Sequence, residues 1–193
     1  MSTRAEQKEA RRLALLDGGV RVLADHGLEG FTTGRVAAEA GIAQSGLYKY
    51  WSDRDTALAA VAEHVGAQIL VAIREARRAA AAEGQIHGAF VGGLEAILSH
   101  RDTVELALRY RRDPGPLGQT FHAIVERGRD ELFADMISTG MVQDRALARR
   151  FATYTVGLTM TAVEALIDGE IDSVETAAAD LTLIAMSVLG ATA

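Results

Sequence analysis

Apolar residues recur at three- and four-residue intervals along most of the chain, and the two-residue alternation of a half-buried strand is absent. Ala, Leu and Arg are abundant, and all three favour helices. The pattern predicts an all-α protein. A first helix is expected over about Ala5–His26, with Leu13, Leu16, Val20 and Leu23 on one apolar face and Gly27 as its cap. Thr32 is the expected N-cap of a short helix over Thr33–Ala40, which Gly41 ends. A second short helix is expected over Gln44–Tyr50. Asp53, with Ser52 as its rival, caps a long helix running towards Ala82. Further helices are expected near 85–99, 102–112, 117–139, 145–167 and 173–190, with Gly84, Gly140 and Gly169 between them. Both prolines fall in Asp113-Pro114-Gly115-Pro116, the clearest loop.

The informative stretch is Gly27–Trp51, GLEGFTTGRVAAEAGIAQSGLYKYW. Two short helices meet at Ala40-Gly41-Ile42, where a glycine turn allows a helix-turn-helix. Val36, Ala37, Ile42 and Leu47 can close a small core, and Ala37 and Ala40 allow close helix approach. The second helix then presents Gln44, Ser45, Tyr48, Lys49 and Tyr50, side chains suited to hydrogen bonding and phosphate contact. Taken alone, such a helix pair fits plain packing equally well, with Tyr48, Tyr50 and Trp51 as core residues.

The wider pattern of residues favours the first of these readings. Phe31-Thr32-Thr33, Val36-Ala37, Ala40-Gly41-Ile42, Leu47-Tyr48-Lys49-Tyr50-Trp51, Arg54 and Leu58 together resemble the tetracycline-repressor-like (TetR) family of bacterial regulators. The resemblance covers roughly residues 8–65. It implies a DNA-binding head over 1–52, with the helix-turn-helix at about 32–51, and a helical ligand-binding and dimerisation body over 53–193. It also implies that Thr33 and Tyr50 hold phosphates and that Thr32 caps the second helix near the DNA backbone. Gln44, Ser45, Gly46 and Lys49 are then expected to face the major groove. Tyr48 packs partly inward with its hydroxyl on a phosphate, and Arg54 reaches another. Two positions depart from the family pattern. Ala43 stands where a capping serine is common, and Gly34 where a larger, often base-reading, side chain is common. Arg35, next to Gly34, is expected at the groove or in solvent.

Charge neither suggests nor forbids this reading. The net charge is −6, but residues 1–60 hold eight Lys/Arg and eight Asp/Glu, so the acid excess lies in the rest of the chain. A DNA reader needs basic groups on one face rather than a basic average. With no cysteine there is no disulfide and no thiolate zinc site. No window approaches 18 uncharged apolar residues and no targeting segment is visible, so a cytoplasmic protein is expected.

In the body, the helices near 145–167 and 173–190 are apolar nearly all round, through Phe151, Tyr154, Leu158, Val163 and Leu166 on one and Val174, Leu181, Ile184, Ala185 and Leu189 on the other. They are expected to form a homodimer interface, against the alternative of a monomeric core. The middle helices are expected to enclose a pocket for a small-molecule effector, with Gln68, Phe90, Leu94, Tyr110, Phe121, Val125, Tyr154 and Glu164 as candidate lining. Gly88, Gly92 and Gly93 fit close helix packing better than ligand space. The five histidines lack helical metal-ligand spacing, and no GxSxG, HExxH or P-loop motif occurs, so neither metal, cofactor nor catalysis is expected. The expected function is a transcriptional regulator, a repressor released from a palindromic operator by its ligand. The alternatives are a helical small-molecule-binding protein without specific DNA binding, and a helical enzyme.

Overall fold

Helices follow one another through the computed structural model, which describes residues 3–190 except for the Glu83 side chain. No strand occurs among the described residues. In chain order the helices are α1 (Arg4–Gly30), α2 (Thr33–Glu39), α3 (Gln44–Leu47), α4 (Arg54–Glu83), α5 (Ile86–Leu98), α6 (Arg101–Tyr110), α7 (Pro116–Ser138), α8 (Arg145–Asp168) and α9 (Val174–Gly190). The ends of the expected head and body, residues 1–2 and 191–193, lie outside the described residues.

Contacts divide the chain into two units. The first comprises the residues up to Ala67 together with Asp102–His122. Its helices start on local signals. The Thr3 hydroxyl accepts from Glu6 N at 3.2 Å while Thr3 N donates to the Glu6 carboxylate at 2.8 Å, a reciprocal cap on α1. Thr32 caps α2 by accepting from Arg35 N at 3.2 Å. At α4 it is Asp53, not Ser52, that accepts from Thr56 N, at 2.8 Å. Gly27 (φ 61°) puts a kink into α1 instead of ending it, and Gly41 (φ 66°) makes the turn between α2 and α3.

The expected apolar face of α1 is partly corrected. Leu13 is exposed and Val20 half-buried, whereas Leu15, Leu16, Val22 and Leu23 are buried with Gly18 and Gly19 between them. Bare glycine surfaces admit neighbouring chain that a side chain would block. A Cβ on Gly18 would lie 3.2 Å from the Val36 carbonyl and Ala40 N, and one on Gly19 only 2.4 Å from Val61. Phe31, Val36, Ala37, Leu47, Ala57, Leu58, Val61 and Val65 complete this core, and Ile42 is only partly covered.

The second unit comprises Gln68–Arg101 and the residues from Ala123 onward. Helix α5 packs on α8 and α9, and α8 on α9. Met136, Val142, Ala148, Phe151 and Ala185 form a buried cluster, flanked by Phe90, Leu132, Phe133 and Val188. Gly92 does serve packing: a Cβ there would stand 2.7 Å from Ala76 Cβ, while Gly93 faces no such neighbour. Arg77 donates twice to one oxygen of Asp135, at 2.7 and 3.1 Å.

Residues Arg54–Ala82 are long and apolar enough to cross a membrane by length and composition, the mean hydropathy of an 18-residue stretch within them being 1.6. No uncharged window of that length occurs among them, because Glu63 and His64 break the apolar run. The apolar side chains Leu58, Val61, Val65 and Leu70 of that helix are buried inside the protein, and Glu63, His64 and Gln68 interrupt it.

Candidate nucleic-acid interface

The polar side chains from α2 to the start of α4 stand on a small apolar base. Val36, Ala37 and Leu47 are inaccessible, and they fix α2 and α3 through the Gly41 turn, where Ile42 N bonds the Ala37 carbonyl at 2.9 Å. Helix α3 is shorter than expected, ending at Leu47 rather than Tyr50. Two causes act locally: Ala43 offers no side-chain cap, and Gly46 is a poor helix former. The backbone continues as a hydrogen-bonded turn, with Lys49 N on the Gly46 carbonyl at 3.3 Å and Tyr50 N on the Leu47 carbonyl at 2.8 Å. A Cβ on Gly46 would lie 2.8 Å from Ile42 Cγ2, so this glycine serves close approach.

Gln44, Ser45, Tyr48 and Lys49 are exposed on this short segment, Tyr48 by 51%. A helix entering a groove needs such a projecting polar row on a rigid base. Thr33 differs: it is buried, and its hydroxyl accepts from Gln44 Nε2 at 3.2 Å and pairs with the Tyr48 hydroxyl at 3.3 Å. Gly34 lies directly beneath the Gln44 amide, at 3.8 Å from an ideal Cβ.

Around this row, Tyr50 and Arg54, which the resemblance assigns to the DNA backbone, and Arg35, expected at the groove or in solvent, also hold the protein together. Tyr50 donates its hydroxyl proton to the Lys8 carbonyl at 3.1 Å. Arg35 Nη1 donates to the Gly30 carbonyl at 2.9 Å. Arg54 donates from Nε to the Phe31 carbonyl at 2.8 Å and from Nη2 to the Leu28 carbonyl at 2.7 Å, and its Nη1 lies 3.3 Å from Asp55. A phosphate contact by Arg54 would compete with three bonds already made. Asp53 has its carboxyl held below the usual aspartate range, first by the Thr56 N–H and then by the hydroxyls of Ser52 and Thr56.

The candidate ligand residues fall in different places. A shallow groove, open to solvent and enclosing only about 20 Å³, lies in the second unit between Phe90, Phe151, Tyr154, Leu158, Leu181 and Ile184. It brings Phe90 and Tyr154 together. Leu94 is fully buried, Gln68 is exposed, and Val125 and Glu164 are half-buried. Tyr110 and Phe121 belong to the first unit. The other groove residues come from α8 and α9, whose apolar pattern was legible but had suggested a subunit interface instead. Among the described residues no group of three or more His, Asp or Glu is placed to hold a metal ion.

Residues 15–61 match the sequence profile described as bacterial regulatory proteins, tetR family. No curated protein matches the chain. Solved structures agree with the fold along nearly its whole length. A TetR-like transcriptional regulator from Rhodococcus sp. RHA1 is 25% identical, with a TM-score of 0.64 over 93% of this chain and 96% of that one. The TetR-like transcriptional regulator LfrR from Mycobacterium smegmatis, solved with proflavine, is 25% identical, with a TM-score of 0.60 over 91% and 96%. The multidrug binding protein EbrR, solved with imidazole, is 21% identical, with a TM-score of 0.63 over 89% and 93%.

Proposed function

We propose that this chain, whose residues 15–61 match the tetR family profile and whose fold is that of TetR-like transcriptional regulators, is a repressor released from a palindromic operator by a small molecule. The observation that carries this reading is the exposed row of Gln44, Ser45, Tyr48 and Lys49 on the buried base of Val36, Ala37 and Leu47. Gln44, Ser45 and Lys49 address base edges, with Gly46 letting the backbone approach. Thr32, Thr33, Arg35, Tyr48, Tyr50 and Arg54 form the surrounding set that positions the segment on the duplex.

A palindrome requires two copies. The α9 surface away from the groove of Phe90 and Tyr154 offers an apolar face for a homodimer: Leu183 and Met186 are exposed, Leu183 by 68%. The effector is proposed to bind in the second unit, where Phe90 and Tyr154 are joined in one groove. Like proflavine in LfrR and imidazole in EbrR, it would be a small organic molecule. Release requires that the effector bind the DNA-incompetent state better than the competent one, since equal affinity shifts nothing. Helix α4 would carry the change, being a single helix whose first part packs in one unit and whose remainder packs in the other. The protein would act in the cytoplasm, with no cofactor and no catalytic step.

Fluorescence anisotropy of the full chain with a duplex from its own upstream region, against a scrambled duplex and across a salt series, tests the reading. Sequence-selective binding with a steep salt slope is expected. Weak, unselective binding to every upstream fragment would favour a ligand-binding helical protein without specific DNA recognition. Turnover of an added ligand would favour an enzyme.

A further inference from the structure

Thr33 is the buried polar residue of the helix-turn-helix, and its hydroxyl is the point where two exposed recognition-type side chains, Gln44 and Tyr48, meet. We propose that Thr33 is a positioning residue: its hydroxyl fixes Gln44 and Tyr48 together, so that base discrimination by Gln44 and phosphate grip by Tyr48 depend on one buried group. The proposal rests on the DNA-binding reading above.

Hydrogen-bond stoichiometry permits it. A threonine hydroxyl carries one proton and two acceptor sites. Gln44 Nε2 donates to one acceptor site at 3.2 Å, and in the 3.3 Å bond to Tyr48 either hydroxyl can be the donor. With Thr33 as that donor, the Tyr48 proton is left for a phosphate, and the chain Gln44 to Thr33 to Tyr48 to phosphate runs in one direction. Gln44 has four groups' worth of hydrogen-bonding capacity, and engaging one N–H orients the amide plane while leaving the other N–H and the carbonyl for an adenine edge.

Gly34 completes the arrangement. An ideal Cβ there would lie 3.8 Å from both Cδ and Nε2 of Gln44, so anything longer than alanine would occupy the space over which the amide lies. The missing side chain at Gly34 is the seat of Gln44. Thr33, Gly34 and Gln44 thus act as one specificity unit, with Tyr48 tied to it.

The test is selection of bound sites from a randomised duplex library by the full-length protein and its variants, followed by affinity and salt-slope measurements on the selected site. Gln44→Ala should lose about tenfold or more of its discrimination at one base pair per half-site. Thr33→Val, nearly isosteric, should lose discrimination at that same base pair and weaken binding to all sequences alike, with the salt slope unchanged because the tyrosine hydroxyl carries no charge. Thr33→Ser should restore both. Thr33→Val placed on Gln44→Ala should cost nothing further at that base pair, a result that mere destabilisation of the head would not give. Gly34→Leu, at a partly exposed helical position where leucine favours folding, should shift the preference at the same pair even if Thr33→Val folds poorly. A Thr33→Val protein that folds and keeps the full preference overturns the proposal, as does a Gly34→Leu protein that does so. If the parent protein selects no motif at all, the DNA-binding reading has failed and this proposal with it. If the parent selects a motif that the Thr33 and Gly34 variants leave unchanged, the positioning role alone has failed.

Discussion

Arg54, at the first turn of α4, donates to the Leu28 carbonyl 26 residues earlier, at 2.7 Å, and so closes the open end of α1. At the helix end beyond the Gly27 kink the Leu28 carbonyl accepts from Phe31 N at 3.2 Å, and a partly buried guanidinium fork adds a second bond to it and one to the Phe31 carbonyl. Arg54→Lys keeps the charge but can reach only one carbonyl with good geometry. It is expected to cost about 1–2 kcal/mol of stability, as hydrogen bonds from charged groups are worth about 1.5–3 kcal/mol and the ammonium retains part of that. Urea unfolding of the isolated protein measures this without DNA. Unchanged stability together with weaker DNA binding would mean that Arg54 serves the phosphate alone.

Helix propensity and tertiary contact make opposite forecasts at Gly19. Gly→Ala in a helix interior normally gains up to about 1 kcal/mol. Here the new methyl would stand 2.4 Å from Val61 Cγ2 in a fully buried position. Overpacking of that kind costs about 1–3 kcal/mol, so Gly19→Ala should lower the thermal midpoint. Adding Val61→Ala should recover part of the loss. A Gly19→Ala protein more stable than its parent would show that α1 and α4 are less closely packed than this.

The cap on α4 should be sensitive to acid. The Asp53 carboxyl, accepting from Thr56 N and the hydroxyls of Ser52 and Thr56, titrates below its ordinary value of 3.8. Its contribution is therefore fully present above the ordinary value and is lost as pH falls through it towards the lowered one. Asp53→Ala should lower the thermal midpoint near neutral pH, and the difference from the parent should shrink as pH falls below about 4. A difference that stays constant down to strong acid would mean that the carboxylate charge contributes nothing.

The α9 face offers a test of assembly. Leu183 and Met186 are 68% and 52% exposed in a single copy. If they are covered by a second copy, Leu183→Glu with Met186→Glu should convert a dimer to a monomer by sedimentation, because a charge pair cannot be buried against its own symmetry mate at tolerable cost. Operator affinity should fall with it. A variant that remains dimeric places the interface elsewhere.

Element positions were legible because the signals that set them are local. Thr32, Asp53 and Gly41 act within four residues of where they stand, and each occupies the role its type suggests. The observed length of α3 differs from the expected one for a reason of the same kind: an uncapped start and Gly46 turn about two turns' worth of pattern into one short helix and a turn. The buried face of α1 was harder. Leu13 fits the apolar spacing but is exposed, and Gly18 and Gly19, which carry no hydrophobic side chain, are buried against α2 and α4.

By itself, then, the sequence determined an all-α chain, the sites of its turns and caps, and a helix-turn-helix with a recognisable polar row. These follow from helix periodicity, glycine at positive φ and capping chemistry, all of which operate over a few residues. Only the tertiary structure decided which of those polar groups are already engaged. The partner of Tyr50 is Lys8, 42 residues away, the partners of Arg54 are Leu28 and Phe31, and that of Tyr48 is Thr33. A hydroxyl or guanidinium has the same letter whether it faces a groove or a carbonyl of its own chain. Its role is set by what folding brings within about 3 Å of it.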